Sequence, residues 1–121
     1  MSYDDNNIFA KILRGEIPCK KIYEDDFVLS FYDINPQKKI HALVIPKGKY
    51  IDLDDFNTNA SDKEIIGLMK GITTVSKKLG ISSIDGKGYR ALANISDYGG
   101  QEVPHLHFHL FGGEKVGKMV S

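Results

Sequence analysis

Apolar and polar positions change period several times along the chain, and each change marks an expected element. Ile8, Phe9, Ile12 and Leu13 recur at helical spacing behind the capping residues Asp4 to Asn7, and Gly15 and Pro18 close the run. A short amphipathic helix is expected there. In KKIYEDDFVLSFYDINP the period falls to two. Ile22 and Tyr23 precede the turn-like Glu24-Asp25-Asp26, after which Phe27, Leu29 and Phe31 alternate with Val28, Ser30 and Tyr32, and Asn35-Pro36 ends the second strand. KIHALVIPK is a β-branched strand closed by Pro46. Ser61-Asp62-Lys63-Glu64 is a capping-box pattern. Ile65, Leu68, Met69, Ile72, Val75 and Leu79 follow at helical spacing up to Gly80, and all of them, Met69 included, are expected in the core.

A loop through ISSIDGKG leads to a strand at YRALAN, and a glycine-containing loop, ISDYGGQEVP, leads to a last strand. Repeats, low-complexity segments and linkers are absent from the sequence. The order predicts an α+β fold: one largely antiparallel sheet of about five strands, with one long and one short helix. A single domain over residues 1–121, with its core at about 7–115, fits the length.

Composition narrows the class without choosing a function. Hydrophobic residues make up 41% and charged residues 26%, as in ordinary globular proteins. Sixteen basic and sixteen acidic residues cancel, so no overall field directs the chain to nucleic acid or a membrane surface. The only cysteine, Cys19, forms no internal disulfide and reads as a small filler beside Pro18. No apolar run reaches membrane-spanning length, and MSYDDNNIF lacks the basic and apolar regions of a signal peptide. A cytoplasmic location is expected.

Three of the four histidines, His105, His107 and His109, fall within five residues of HLHFHLFGG. On a strand their rings share one face, roughly 6.7 Å apart along the chain, while Leu106, Phe108 and Leu110 form a buried face opposite. A solvated polar face is one reading, although such faces usually draw on Thr, Ser, Lys and Glu. A zinc site is another, but no cysteine or carboxylate is obviously clustered with the three. Glu102, on a loop, is the nearest candidate, so neither a metal nor a cofactor is assigned. The third reading is acid–base and nucleophilic chemistry. Imidazole titrates near neutrality, so one ring can be neutral and nucleophilic while another is protonated and steadies an anion. A phosphoryl group suits that pairing. Gly99 and Gly100, just ahead, would let backbone N–H groups approach it.

With NNIFAKILRGEIP, FYDINPQ, HALVIPK and NISDYGGQEVPHLHFHLFGG in this order, the chain resembles the histidine-triad family, and within it the bacterial-type nucleotide-binding branch of purine nucleoside phosphoramidases. The resemblance implies a homodimer whose two sheets join into one, and a purine nucleoside monophosphate or phosphoramidate as ligand. It implies that His107 attacks the α-phosphorus of an adenosine 5′-phosphoramidate or aminoacyl adenylate, forming a nucleotidyl-histidine that water hydrolyses to AMP. The His105 carbonyl would fix the tautomer of His107, His109 would contact the phosphate and the leaving-group side, and His41 would complete the network. The resemblance further implies Asp33 on the ribose hydroxyls, Asn94 on the phosphate, Gly100, Gln101, Glu102 and Val103 in the phosphate loop, and Ile8, Phe9, Ile12, Phe31 and Ile34 along the base pocket. Most of the surface of those five apolar residues is expected to be core.

Two departures stand out. Glu102 occupies the place where many relatives carry serine, and a carboxylate near a phosphate is unfavourable unless it points away. The C-terminal EKVGKMVS lacks the tryptophan–proline ending of animal members. The alternatives are an AMP-binding regulatory module and a dinucleoside polyphosphate hydrolase of the sister branch.

Overall fold

A computed structural model describes residues 2–120 of the chain. The element order is α1 (Ile8–Leu13), β1 (Lys21–Glu24), β2 (Val28–Tyr32), β3 (Ile40–Pro46), α2 (Leu53–Asn59), α3 (Asp62–Lys78), β4 (Arg90–Leu92) and β5 (Phe108–Gly112). The five strands form one antiparallel sheet in the order β1-β2-β3-β5-β4. The expected α+β architecture is present, with three helices instead of two.

Local chemistry explains most boundaries. Asn7 caps α1 by accepting the Ala10 N–H at 2.9 Å, and Gly15, at φ 78°, lets the chain leave the helix. Asp25 turns β1 into β2 by accepting the N–H groups of Phe27 and Val28 at 2.8 and 2.9 Å. Ser61 and Glu64 form the reciprocal capping box of α3. Helix α2 carries only two apolar residues, Leu53 and Phe56, too few for a period to show. Its N-cap Asp52 and the fully buried Phe56 define it instead.

Both faces of the sheet are covered. On one, Leu68, Ile72 and Val75 of α3 pack against Val28, Ala42, Val44, Leu106 and Leu110. On the other, Phe9 of α1 packs on Leu29, Phe31, Leu43 and Ile45. Two expectations change here. Met69 is 48% exposed, because the inward stripe of α3 runs through Leu68, Ile72 and Val75 and leaves Met69 on its shoulder. The histidine side of the sheet is also no open polar face, since α1 and its cluster lie over part of it.

The last strand starts later than the alternation suggests. Pairing of β3 with β5 ends at Val44↔Phe108. Two residues on, β3 reaches Pro46, which has no N–H to give, and the Leu106 N–H turns instead to the Tyr50 carbonyl at 2.8 Å. His105 and His107 therefore precede β5, and only His109 lies within it.

Helix α3 sits close enough to the β1–β2 turn to require glycine. A Cβ at Gly67 would fall 2.6 Å from Phe27 Cγ and 2.7 Å from its Cβ. Alanine gains up to about 1 kcal/mol of helix propensity, whereas overpacking costs about 1–3 kcal/mol. Gly67→Ala is expected to lower the melting temperature by several degrees in thermal unfolding; a variant that melts at or above wild type would contradict this contact.

Candidate active site

The β3 and β5 ladders place His41 opposite Phe111 and Leu43 opposite His109. Alternation then carries His41, Leu43, His109 and Phe111 to the face that α1 partly covers. His107 continues the row. Its ring centroid lies 5.0 Å from that of His109 and 4.9 Å from that of Phe9, both edge-on. His105 is fully buried and His107 only 6% exposed.

A neutral imidazole has one donor and one acceptor nitrogen, so a partner of fixed type assigns both. The Nδ1 of His107 lies 2.7 Å from the His105 carbonyl oxygen, which can only accept, so Nδ1 carries the proton and Nε2 the lone pair. The Nε2 of His105 lies 2.9 Å from the Pro46 carbonyl and must donate to it. Its Nδ1 then accepts from the Tyr3 hydroxyl at 2.6 Å. The Gln37 N–H donates to His41 Nδ1 at 3.2 Å, leaving His41 Nε2–H to donate to His109 Nδ1 at 2.9 Å. By elimination His109 carries its proton on Nε2. No buried side-chain polar atom lacks a partner among the described residues. Among the described residues the Nε2 atoms of His107 and His109 have none, so both meet solvent. Two adjacent nitrogens are thus presented together, one a nucleophile and one a donor.

Burial keeps the cluster uncharged. Desolvation is the largest cause at all four rings, holding His41 and His107 below the usual histidine range and pushing His105 and His109 down to about 4. At His105 and His109 the charge of His107 pushes the same way. At His107 the His105 carbonyl, Asp33 and Glu102 oppose burial without overcoming it. Burial thus disfavours, in the free protein, the protonated ring that the expected division needs.

The other expected residues divide. The Oδ1 of Asp33 accepts the Asn35 N–H at 2.8 Å, a turn role, while Oδ2 lies 3.4 Å from His41 Nε2. A carboxylate is thus clustered with the histidines after all, and ligand atoms of Asp33, His41 and His109 lie within 4.8 Å of one another. A cation there would have to displace the proton that His41 donates. Asn94 and His109 share a cleft of about 580 Å³ with Lys38, Arg90 and Lys118. The guanidinium of Arg90 donates to the Gly117 and Lys118 carbonyls, both at 2.9 Å, which holds the C-terminal segment at that cleft.

The glycine loop closes on itself more than expected. A Cβ at Gly99 would meet the Ile95 carbonyl oxygen at 2.5 Å, so glycine is required for packing. The N–H groups of Gly100 and Gln101 already bond the Asp97 and Ser96 carbonyls, both at 3.0 Å. The Gln101 side chain donates to the Ile51 and Val103 carbonyls at 2.6 and 3.0 Å and accepts the Ser96 N–H at 2.9 Å, stapling the loop. Glu102 is exposed and Val103 packs on the Phe9 cluster. Of the apolar five, Phe9 and Phe31 are buried and touch edge-on at 5.6 Å, with Ile12 against them. Ile8 is exposed, and Ile34, in the turn after β2, is 86% exposed rather than core. Tyr3, the Gln37 N–H and the Arg90 anchor were not found from sequence. A backbone donor leaves no residue signature, and Tyr3 lies 102 positions from its partner.

Stability should follow the sign of these shifts. Unfolded histidines take protons near pH 6.5, while folded His105 and His109 refuse them until about pH 4. Between those values the unfolded state binds more protons, so stability falls as the pH drops through this window. His105 alone accounts for up to about 3 kcal/mol. Urea unfolding should show a clear loss of stability from pH 7 to pH 5, above the carboxylate range; equal or greater stability at pH 5 would contradict buried neutral rings.

Comparison with known proteins identifies the family and the fold. The HIT domain family matches residues 14–116. The chain is 50% identical over 120 residues to a HIT-like protein of Azospirillum brasilense, covering 99% of this chain and 96% of that one. It is 39% identical over 117 residues to the purine nucleoside phosphoramidase of Escherichia coli K12, covering 97% and 95%. Among solved structures, a HIT family hydrolase from Clostridium thermocellum superposes with TM-score 0.85 at 36% identity over 98% of this chain and 99% of that one. A histidine triad protein from Clostridium difficile gives 0.81 at 40% identity over 98% of each. Family match, fold and the row of imidazoles lead to one conclusion: this chain belongs to the histidine-triad, or HIT, family.

Proposed function

We propose that the protein hydrolyses purine nucleoside 5′-phosphoramidates, and aminoacyl adenylates, to release AMP through a nucleotidyl-His107 intermediate. The observation that carries this is the pair of solvent-facing nitrogens: an unprotonated Nε2 on His107 beside a protonated Nε2 on His109. A relative named purine nucleoside phosphoramidase at 39% identity supports the substrate class.

In the first step the Nε2 lone pair of His107 forms a bond to the α-phosphorus. With a phosphoramidate the nitrogen takes a proton from solvent, the P–N bond breaks and the amine leaves; with an aminoacyl adenylate the P–O bond of the mixed anhydride breaks and the carboxylate leaves unprotonated. The ring keeps its Nδ1 proton, and the positive charge it acquires is steadied by the His105 carbonyl at 2.7 Å. His109, a neutral donor at Nε2, bonds a phosphoryl oxygen as charge builds there. In the second step water attacks phosphorus, the bond to His107 breaks, and the water's proton returns to solvent. Asp33 keeps lone pairs for the ribose hydroxyls, and Asn94 faces the same cleft as His109. Phe9 and Phe31 form the apolar floor of the site, and Glu102 is an exposed residue whose charge still reaches His107. The chain acts as one domain in the cytoplasm. It pairs with a second copy to extend a sheet whose edges, β1 and β4, are unpaired within the single chain. Among the described residues no helix is long and apolar enough to cross a membrane.

Purified protein incubated with adenosine 5′-phosphoramidate should release AMP at a rate unchanged by chelator. His107→Ala should lower kcat/KM by about 10⁴-fold or more, and His109→Ala by about 10²-fold. Tight AMP binding without turnover would favour the regulatory module. Much faster chelator-resistant cleavage of diadenosine polyphosphates would favour the sister branch. Sedimentation of the same sample should give a dimer; a monomer at assay concentration would remove the pairing from the account.

A further inference from the structure

The His105 carbonyl decides which nitrogen of His107 is free, yet no sheet ladder holds it, because β5 begins three residues later at Phe108. Its peptide is tied at one end by the Leu106 N–H to the Tyr50 carbonyl at 2.8 Å, and the His105 N–H bonds the Val103 carbonyl at 2.9 Å. What remains is the ring, clamped between the Pro46 carbonyl at Nε2 and the Tyr3 hydroxyl at Nδ1. The Tyr3 ring also packs edge-on against it at 5.7 Å.

Tyr3 arrives from outside the sheet, N-terminal to the stretch matched by the family. The segment around it is laid down by the Asp5–Lys49 ion pair at 2.7 Å and by the Arg14 guanidinium on the Asp5 carbonyl at 2.7 Å. Both tethers are exposed and weak, and the buried Asn7 side chain adds a third by donating to the Asp4 carbonyl at 2.7 Å. Tyr3 carries this segment to the triad, with its hydroxyl on the fully buried His105 imidazole and its ring edge-on against it.

We propose that Tyr3 is a positioning residue for the nucleophile: by donating to His105 Nδ1 it holds His105 in the Nε2–H form and fixes the carbonyl that orients His107. The proposal rests on the role given above to His107. Without the hydroxyl, Nδ1 becomes a buried acceptor with no donor. The ring can relieve this only by exchanging tautomers, which breaks its bond to Pro46, or by tilting, which moves the carbonyl. The attacking nitrogen then loses its aim while the nucleotide pocket is untouched.

Tyr3→Phe keeps the ring packing and removes only the hydroxyl. On adenosine 5′-phosphoramidate it should lower kcat by about 10- to 100-fold with KM little changed, since small misplacements of a reacting group cost about that much. Nitrogen-15 NMR should show His105 passing from a single Nε2–H form to mixed tautomers. Lys49→Gln, which loosens the segment but spares the hydroxyl, should retain wild-type kcat and the single tautomer. Tyr3→Phe with unchanged kcat would overturn the proposal even if its melting temperature fell, as would lost activity with His105 still wholly Nε2–H. Were the wild type inactive on phosphoramidates, the substrate reading would fail, and the NMR comparison would still decide the role of Tyr3. Were Tyr3→Phe unable to fold, the wild-type Tyr3 hydroxyl proton decides it: slow exchange with a cross-peak to the His105 ring supports the bond, and fast exchange refutes it.

Discussion

A buried neutral imidazole can satisfy only one donor and one acceptor, and this restriction organises the site. Carbonyls at Pro46 and His105, which only accept, and N–H or O–H groups at Gln37 and Tyr3, which donate, leave each ring one protonation pattern. Burial enforces neutrality, and neutrality makes the assignment unique. The outcome is local and chemical: a lone pair on His107 next to a donor on His109, both open to solvent.

The fold serves that arrangement by stopping a ladder at the right place. Regular pairing of β3 with β5 sets His41 diagonal to His109, where His41 Nε2–H donates to His109 Nδ1. Beyond Val44 the proline at position 46 ends the ladder, and the chain is free to turn its His105 carbonyl toward His107 instead of toward a neighbouring strand. Continuing β5 back to His105 would commit backbone groups that the site uses. Covering both faces then removes water from around the rings, with α3 packed on one side and α1 with Phe9 on the other.

Much of this was legible in the sequence where the signal is local. The capping box of α3, the Asp25 turn and the alternation of His with Leu and Phe are written within a few residues of where they act. The helix stripe misled only at Met69, because periodicity gives a direction without its width. Helix α2 was hidden by having two apolar residues, and the start of β5 by an alternation that persists after the hydrogen bonds stop. The Gly99-Gly100 pair reads the same whether it cradles an anion or packs on Ile95, and here the packing at Gly99 is clear. The contact of Tyr3 with His105, 102 positions apart, has no local signature at all. The family resemblance supplied the histidine roles that spacing alone left open.

The account depends on His107 being neutral with its proton on Nδ1. Long-range nitrogen–proton NMR of histidine-labelled protein at pH 7 measures this directly. The structure predicts a protonated Nδ1 and a bare, pyridine-like Nε2 on His107. A proton on Nε2, or on both nitrogens, would contradict it, because no lone pair would then face the phosphorus.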